Sequence, residues 1–266
     1  MGNNNKEKNM LPNDTGATFW EHLEVLRWAL VRILIFMTSC MVSTFILMPH
    51  IFENYILAPT TSNFFVYQWL EQISGGLFTF PENFSVQIIN IHVSSQFFTH
   101  ISTSLSLAFV LSIPYIIYEI WRFIRPALYS HETHQIRFAF IGSTLMFYAG
   151  CLMAYFIVFP FCFRFLAGYE LSPSIHNQID LSSYISHFTM LILMMGLLFE
   201  LPILAWLLST LGLVNKPLLR RYKSHAVVIL MVLSAIITPS GDPLTMLLVT
   251  IPLYLLYELS ICLVKR

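Results

Sequence analysis

Glu200 is an acid in the middle of an apolar stretch, Met194-Met195-Gly196-Leu197-Leu198-Phe199-Glu200-Leu201-Pro202. At such a depth in a bilayer an ionised carboxylate costs several kcal/mol, so it faces a cavity, finds a partner or keeps its proton. Pro202 frees the carbonyl of Leu198, which a protonated Glu200 could reach. Two readings stand: a satisfied structural carboxyl, or the polar floor of a water-accessible or partner-binding groove. A second concentration of chemistry is His131-Glu132-Thr133-His134. Zinc on one helical face requires H-E-x-x-H, and the closer histidine spacing here gives no metal site. Ser130 can instead cap a helix, which puts Glu132 in the first turn, where the helix dipole favours a carboxylate. A third is the run from Phe19 to Leu30. His22, Leu23, Leu26 and Leu30 share a helical face with Glu21, Glu24 and Arg27 beside it, the pattern of an amphipathic helix entering the membrane from its surface.

The elements that must position these residues are membrane spans. A chain 56% hydrophobic and 11% charged is not an ordinary soluble domain. Apolar runs predict six transmembrane helices near 28–48, 97–118, 138–161, 188–211, 225–237 and 244–264, an all-α bundle within a membrane domain at 19–266. Residues 1–18 are expected to form a flexible cytoplasmic tail. Every Lys and Arg except Arg164 then falls on one side, which makes that side cytoplasmic and puts both termini there, in a bacterial inner membrane. The long outer loop from Pro49 to about Gln96 holds Glu53, Glu71 and Glu82 but no Lys or Arg.

Two irregularities add detail. The fifth span, 225–237, covers roughly 20 Å against about 30 Å of hydrocarbon before Thr238-Pro239-Ser240-Gly241-Asp242-Pro243 forces a turn. Thinning of the bilayer or self-association relieves such a mismatch. Pro114, Pro202 and Pro252 lie within spans and should bend them into a curved bundle. Other classes fit less well. A proton-coupled transporter of a small solute, the alternative function, predicts internal repeats and several intramembrane acids; one convincing acid and no repeat are found. A hydrolase needs partnered residues at depth, whereas Ser186, His187 and His225 sit at span ends. Cys40, Cys151, Cys162 and Cys262 show no C-x-x-C spacing and read as small buried hydrophobes. With zero formal net charge, no attraction to nucleic acid is expected.

The chain resembles the TatC family, the multispanning receptors of the twin-arginine protein translocase. The resemblance runs from Phe19 to Leu263 through HLEVLR, RFIRPALYSHE, FYAGCLMAYFIVFP, GLLFELP and ITPSGDPLTMLLVTIPLYLLYE, in that order. It implies a glove-shaped bundle and a non-enzymatic role with no cofactor. Arg-Arg signal peptides of folded precursors would dock on the N-terminal segment and first inner loop. Glu132 matches the loop glutamate of that site, with Phe123, Pro126, Leu128 and Tyr129 in its surrounding motif, and Glu21, His22, Glu24 and Arg27 in the N-terminal part. Arginine forks pair bidentately with carboxylates in a way lysine does not copy. Glu200 matches the family's buried glutamate, and Thr238 and Met246 lie where single-span TatA/TatB-type subunits dock. No GxxxxGK[ST] motif is found, so energy is expected from the proton-motive force.

Three positions depart from the family pattern. Val25 stands where His-Leu-x-Glu-Leu-Arg has its glutamate, Ala29 where a second arginine is common, and Met246 where a glutamine often lies. Glu24 precedes the lost position and is rotated by about 100°, whereas Glu21 shares its helical face. Either could supply the missing carboxylate.

Overall fold

The computed structural model describes residues 14–62, 64–68, 86–124, 133–169, 172, 177–238 and 241–264. Helix α1 runs Asp14–Ile51, so the expected surface helix and first span form one continuous rod. It ends in a π-helical turn, Phe52–Ile56, and a 3₁₀ turn, Ala58–Thr60. Then come α2 (Ser95–Ile124), α3 (Thr133–Met153), a second π turn (Ala154–Val158), α4 (Phe159–Gly168), α5 (Leu181–Leu198), α6 (Leu201–Thr210), α7 (Lys216–Arg221), α8 (Lys223–Ile237) and α9 (Pro243–Leu263). Among the described residues, five helical stretches are long and apolar enough to cross a membrane: Leu23–Thr60, Ser95–Phe123, Ala139–Gly168, Leu181–Thr210 and Pro243–Leu263. The sixth apolar helix, Lys223–Ile237, has 15 residues and spans about 22 Å.

The outer ends extend beyond the sequence expectation. Helix continues to Gly168 and resumes at Leu181, so the second outer loop is shorter than the apolar pattern suggested. A two-residue parallel pair, β1 (Ile88–Ile89) with β2 (Ile179–Asp180), joins the α1–α2 and α4–α5 connections. Asp180 then caps α5 by accepting from Ser182 N (3.0 Å), and the Ser182 hydroxyl bonds that of buried Ser95 at the start of α2.

Prolines explain the π turns. Pro59 and Pro160 lack an N–H, and the turn before each lets Leu57 N–H reach Phe52 O (3.0 Å) and Phe159 N–H reach Ala154 O. Helix ends leave carbonyls unsatisfied, and lipid offers no donor. At the end of α1 tyrosines fill that gap. The hydroxyls of Tyr155, Tyr184 and Tyr67 donate to the carbonyls of Tyr55 (2.9 Å), Ile56 (2.6 Å) and Pro59 (3.1 Å). Beneath them Phe159, Phe163, Tyr184 and Phe188 pack edge to face and stacked, with Phe159 and Phe188 ring centroids 5.0 Å apart.

Helices α3 and α5 cross at glycine. A Cβ on Gly150 would lie 2.7 Å from Met195 O, and one on Gly196 would lie 2.8 Å from Cys151 Sγ. Close approach through small residues is the packing that bilayers favour, because apolar surface gives helices no preference for each other over lipid.

Thermal unfolding in detergent tests both the crossing and the tyrosine caps. Gly150→Ala should destabilise the purified protein by about 1–3 kcal/mol, while Gly168→Ala, where an added Cβ meets nothing within 4 Å, leaves it unchanged. Tyr184→Phe should cost about 1–3 kcal/mol by stranding the Ile56 carbonyl.

Candidate functional site

The face at the far end of α1 and α2 is built by a ladder of contacts between two antiparallel helices. Starting from the end nearer the α1–α2 connection, His100 stacks on Phe45 with centroids 4.0 Å apart and bonds its carbonyl (2.9 Å). Thr44 donates to Ser104 O at 3.0 Å, and Phe36 stacks on Tyr115 at 4.6 Å. The last rung is ionic. Arg32 Nε donates to Glu119 Oε1 and Nη2 to Oε2, both at 2.8 Å, while Tyr115 OH adds a third donor at 3.1 Å. Arg122 stands 4.0 Å from the same carboxylate. The Glu119 side chain is 2% exposed, so a carboxylate buried at this depth is held by a bidentate fork and a hydroxyl.

Neither Arg32 nor Glu119 was expected as a partner of the other. Arg32 reads in sequence as one of the cations that set orientation, and Glu119 is masked by its aromatic neighbours. The signal was present nonetheless: one cation inside the first apolar run, and one acid immediately after the second.

Beyond this rung lie the residues expected to dock a ligand. Glu24 is exposed on α1 about 12 Å along the axis from Arg32. Val25 and Trp28 are 49% exposed, and the Arg27 guanidinium lies 5.5 Å from the Trp28 ring centroid. Glu21 and His22 lie on the same helix, with side chains outside the described set. On α2, half-buried Phe123 occupies the final turn. Pro126, Leu128, Tyr129 and Glu132 lie outside the described residues, in the connection between α2 and α3. The ladder thus packs α1 against α2 as far as the Arg32–Glu119 rung, near the C-terminal end of α2.

Glu200 sits apart from this face. It occupies the break between α5 and α6, where Phe199 and Glu200 form a turn and Leu204 N–H bonds the Glu200 carbonyl at 2.9 Å. The expected bond to the Leu198 carbonyl is not made; the turn aims the carboxyl at α3, where Ser143 Oγ donates to Oε2. Oε1 is buried with no hydrogen-bond partner among the described residues. Ser143 carries no sequence signal of this role, because a lone serine in a span usually bonds its own helix.

The expected partner-docking residues flank the α8–α9 turn. Thr238 is buried and donates to Ser234 O (2.9 Å), and Met246 is half-buried in the first turns of α9. Gly241 takes φ +57°, and Asp242 caps α9 by accepting from Leu244 N (3.0 Å) and Thr245 N (2.9 Å). At the other end of the hairpin Glu258 pairs with Lys223 of α8 and accepts from Tyr254 OH (2.7 Å).

Comparison with known proteins adds an independent line. Residues 21–252 match the family model "Sec-independent protein translocase protein (TatC)". The TatC protein of Blattabacterium sp. subsp. Periplaneta americana is 35% identical over 265 residues, covering 96% of this chain and 95% of that protein. That of Aquifex aeolicus is 38% identical over 188 residues, covering 70% and 76%. Two crystal structures of the twin-arginine translocase receptor TatC superpose with TM-scores of 0.72 and 0.73 at 32% and 34% identity, covering 91% and 92% of this chain and 97% and 100% of theirs.

The ionic rung yields a direct expectation. Arg32→Met or Glu119→Met alone strands a charge and should lower the unfolding midpoint, whereas the double variant should unfold closer to wild type than either single one. A double variant no better than the worse single would show that the pair is not coupled.

Proposed function

The chain belongs to the TatC family of Sec-independent protein translocase proteins, and on that premise we propose that it is the signal-peptide receptor of a twin-arginine translocase. The observation that carries the reading is the Arg32–Glu119 rung. It holds α1, which carries exposed Glu24, against α2, whose C-terminal end leads in sequence to the segment that includes Glu132. In the proposed site, one carboxylate from each of these segments forks a guanidinium of an Arg-Arg pair, and Lys-Lys does not reproduce that geometry. Glu132 takes one arginine, and either Glu21 or Glu24 takes the other.

In this reading six helices cross a bacterial inner membrane with both termini cytoplasmic, as the one-sided distribution of Lys and Arg supports. The short α8 and its partner α9 form the hairpin where single-span TatA/TatB-type subunits dock, around Thr238 and Met246. Because α8 covers about 22 Å, this hairpin thins the bilayer locally or gathers copies of the receptor around it. The proton-motive force drives transport, and the receptor itself catalyses no covalent step.

The test is photo-crosslinking of an Arg-Arg signal peptide to the protein in membranes. Crosslinks are expected within 19–27 and 122–132, and Glu132→Ala should cut their yield about ten-fold or more, the value of one charge-assisted contact. Comparing Glu21→Ala with Glu24→Ala assigns the second carboxylate. Equal labelling by Lys-Lys peptides would overturn the receptor reading.

A further inference from the structure

The segment joining α6 to α8 carries a charge imbalance that neither the docking face nor the hairpin uses. From Leu201 to Gly241 the sequence has no Asp or Glu, yet Lys216, Arg220, Arg221 and Lys223 crowd into its centre. Glu258 is the one acid in helices α7, α8 and α9, and Lys223 occupies it. Arg220 feels the same carboxylate without an ion pair among the described residues. Four cations against one acid leave three positive charges on this platform.

The platform is fixed in place. Gly212, at φ +75°, ends α6, and the N–H groups of Leu213 and Val214 fold back onto Leu208 O at 2.9 and 3.3 Å. Tyr257 OH of α9 donates to Leu219 O of α7 at 2.7 Å, and the Lys223–Glu258 pair ties down the start of α8. Lys216 and Arg220 lie one turn apart on α7, with Arg221 adjoining and Leu218 opposite. Leu213, Leu218 and Tyr222 are 65%, 41% and 48% exposed. A free anion in water would have no use for those apolar side chains, whereas a bilayer surface accepts them beside cations at phosphate level.

We propose that this platform is a binding site for an anionic phospholipid. Lys216, Arg220 and Arg221 engage the headgroup phosphodiester, and Leu213, Leu218 and Tyr222 seat among the acyl chains. The site differs from the orientation effect of the same charges. Orientation is decided while the chain inserts, whereas lipid retention is a property of the folded protein and persists after purification.

The experiment uses the purified full chain in neutral detergent at low salt, titrated with phosphatidylglycerol, phosphatidylcholine or inorganic phosphate. Bound lipid is counted by native mass spectrometry, and thermal unfolding is followed in parallel. At about five-fold per surface cation, wild type should prefer phosphatidylglycerol over phosphatidylcholine roughly a hundred-fold. K216Q/R220Q/R221Q should bind the two lipids alike, and high salt should weaken the wild-type preference. Should the triple variant fail to fold, Arg220→Gln alone decides, with an expected loss of about five-fold. An unchanged preference in the variant that is read would overturn the proposal. Equal stabilisation by inorganic phosphate would overturn it in favour of a simple anion site.

Discussion

Hydrocarbon offers no hydrogen bond, and that constraint governs this molecule from backbone to surface. It forces helix on every crossing segment and makes each interruption of a helix a problem to be solved locally. The hydroxyls obey it by bonding back one turn: Thr38 to Leu34, Ser104 to His100, Ser112 to Ala108, Thr189 to Ile185 and Ser260 to Leu256. Pro59 and Pro160 each follow a π turn, and the end of α1 uses three tyrosine hydroxyls drawn from elsewhere in the chain. Charge obeys it through pairing, as at Arg32–Glu119 and Lys223–Glu258. Departures among the described residues include the hydroxyls of Thr103 and Thr144 and, more costly because it belongs to an acid, Glu200 Oε1, buried and unpartnered beside its bond from Ser143. A group left so against a strong penalty is where a water, a proton or an incoming polar side chain has most to gain.

The same constraint divides the contacts between helices into two kinds. Where α3 crosses α5, Gly150 and Gly196 let backbones approach, and the gain is close van der Waals contact. Where α1 meets α2, polar and aromatic rungs also hold the pair. A ladder of specific rungs also fixes register: sliding α1 by one residue would break the Arg32–Glu119 fork and the Thr44–Ser104 bond together.

Much of the helical architecture was legible in the sequence because apolar run length reports directly on long helices. The hairpin turn was legible too, since Gly241 supplies the positive φ and Asp242 caps α9. The outer helix ends were not, because Tyr184, Ile185 and Phe163 are buried in helices among polar neighbours that read as loop. Of the polar contacts, Glu200 announced itself by type and depth, but its partner Ser143 did not, being 57 residues away and ordinary in its own run. The Arg32–Glu119 pair was hidden for the same reason. Each member looks like a span-end charge, and only the antiparallel packing of α1 on α2 shows them to be one feature.

That pair also narrows which acid can take the place of the residue replaced by Val25. A receptor carboxylate must be unsatisfied at rest, or binding gains no more than it breaks. Glu119 accepts three bonds, from Arg32 twice and from Tyr115, with Arg122 near by, and an incoming arginine would have to displace a bidentate fork from a buried site. Glu24 is exposed on the same helix as Arg32, in the turns beyond that fork. The internal pair thus removes from competition the acid nearest to the docking face. It also neutralises Arg32, a cation that would otherwise repel an arginine-bearing ligand. In the proposed receptor, selectivity for the ligand rests with Glu132 and with Glu21 or Glu24, while the Arg32–Glu119 pair holds α1 against α2.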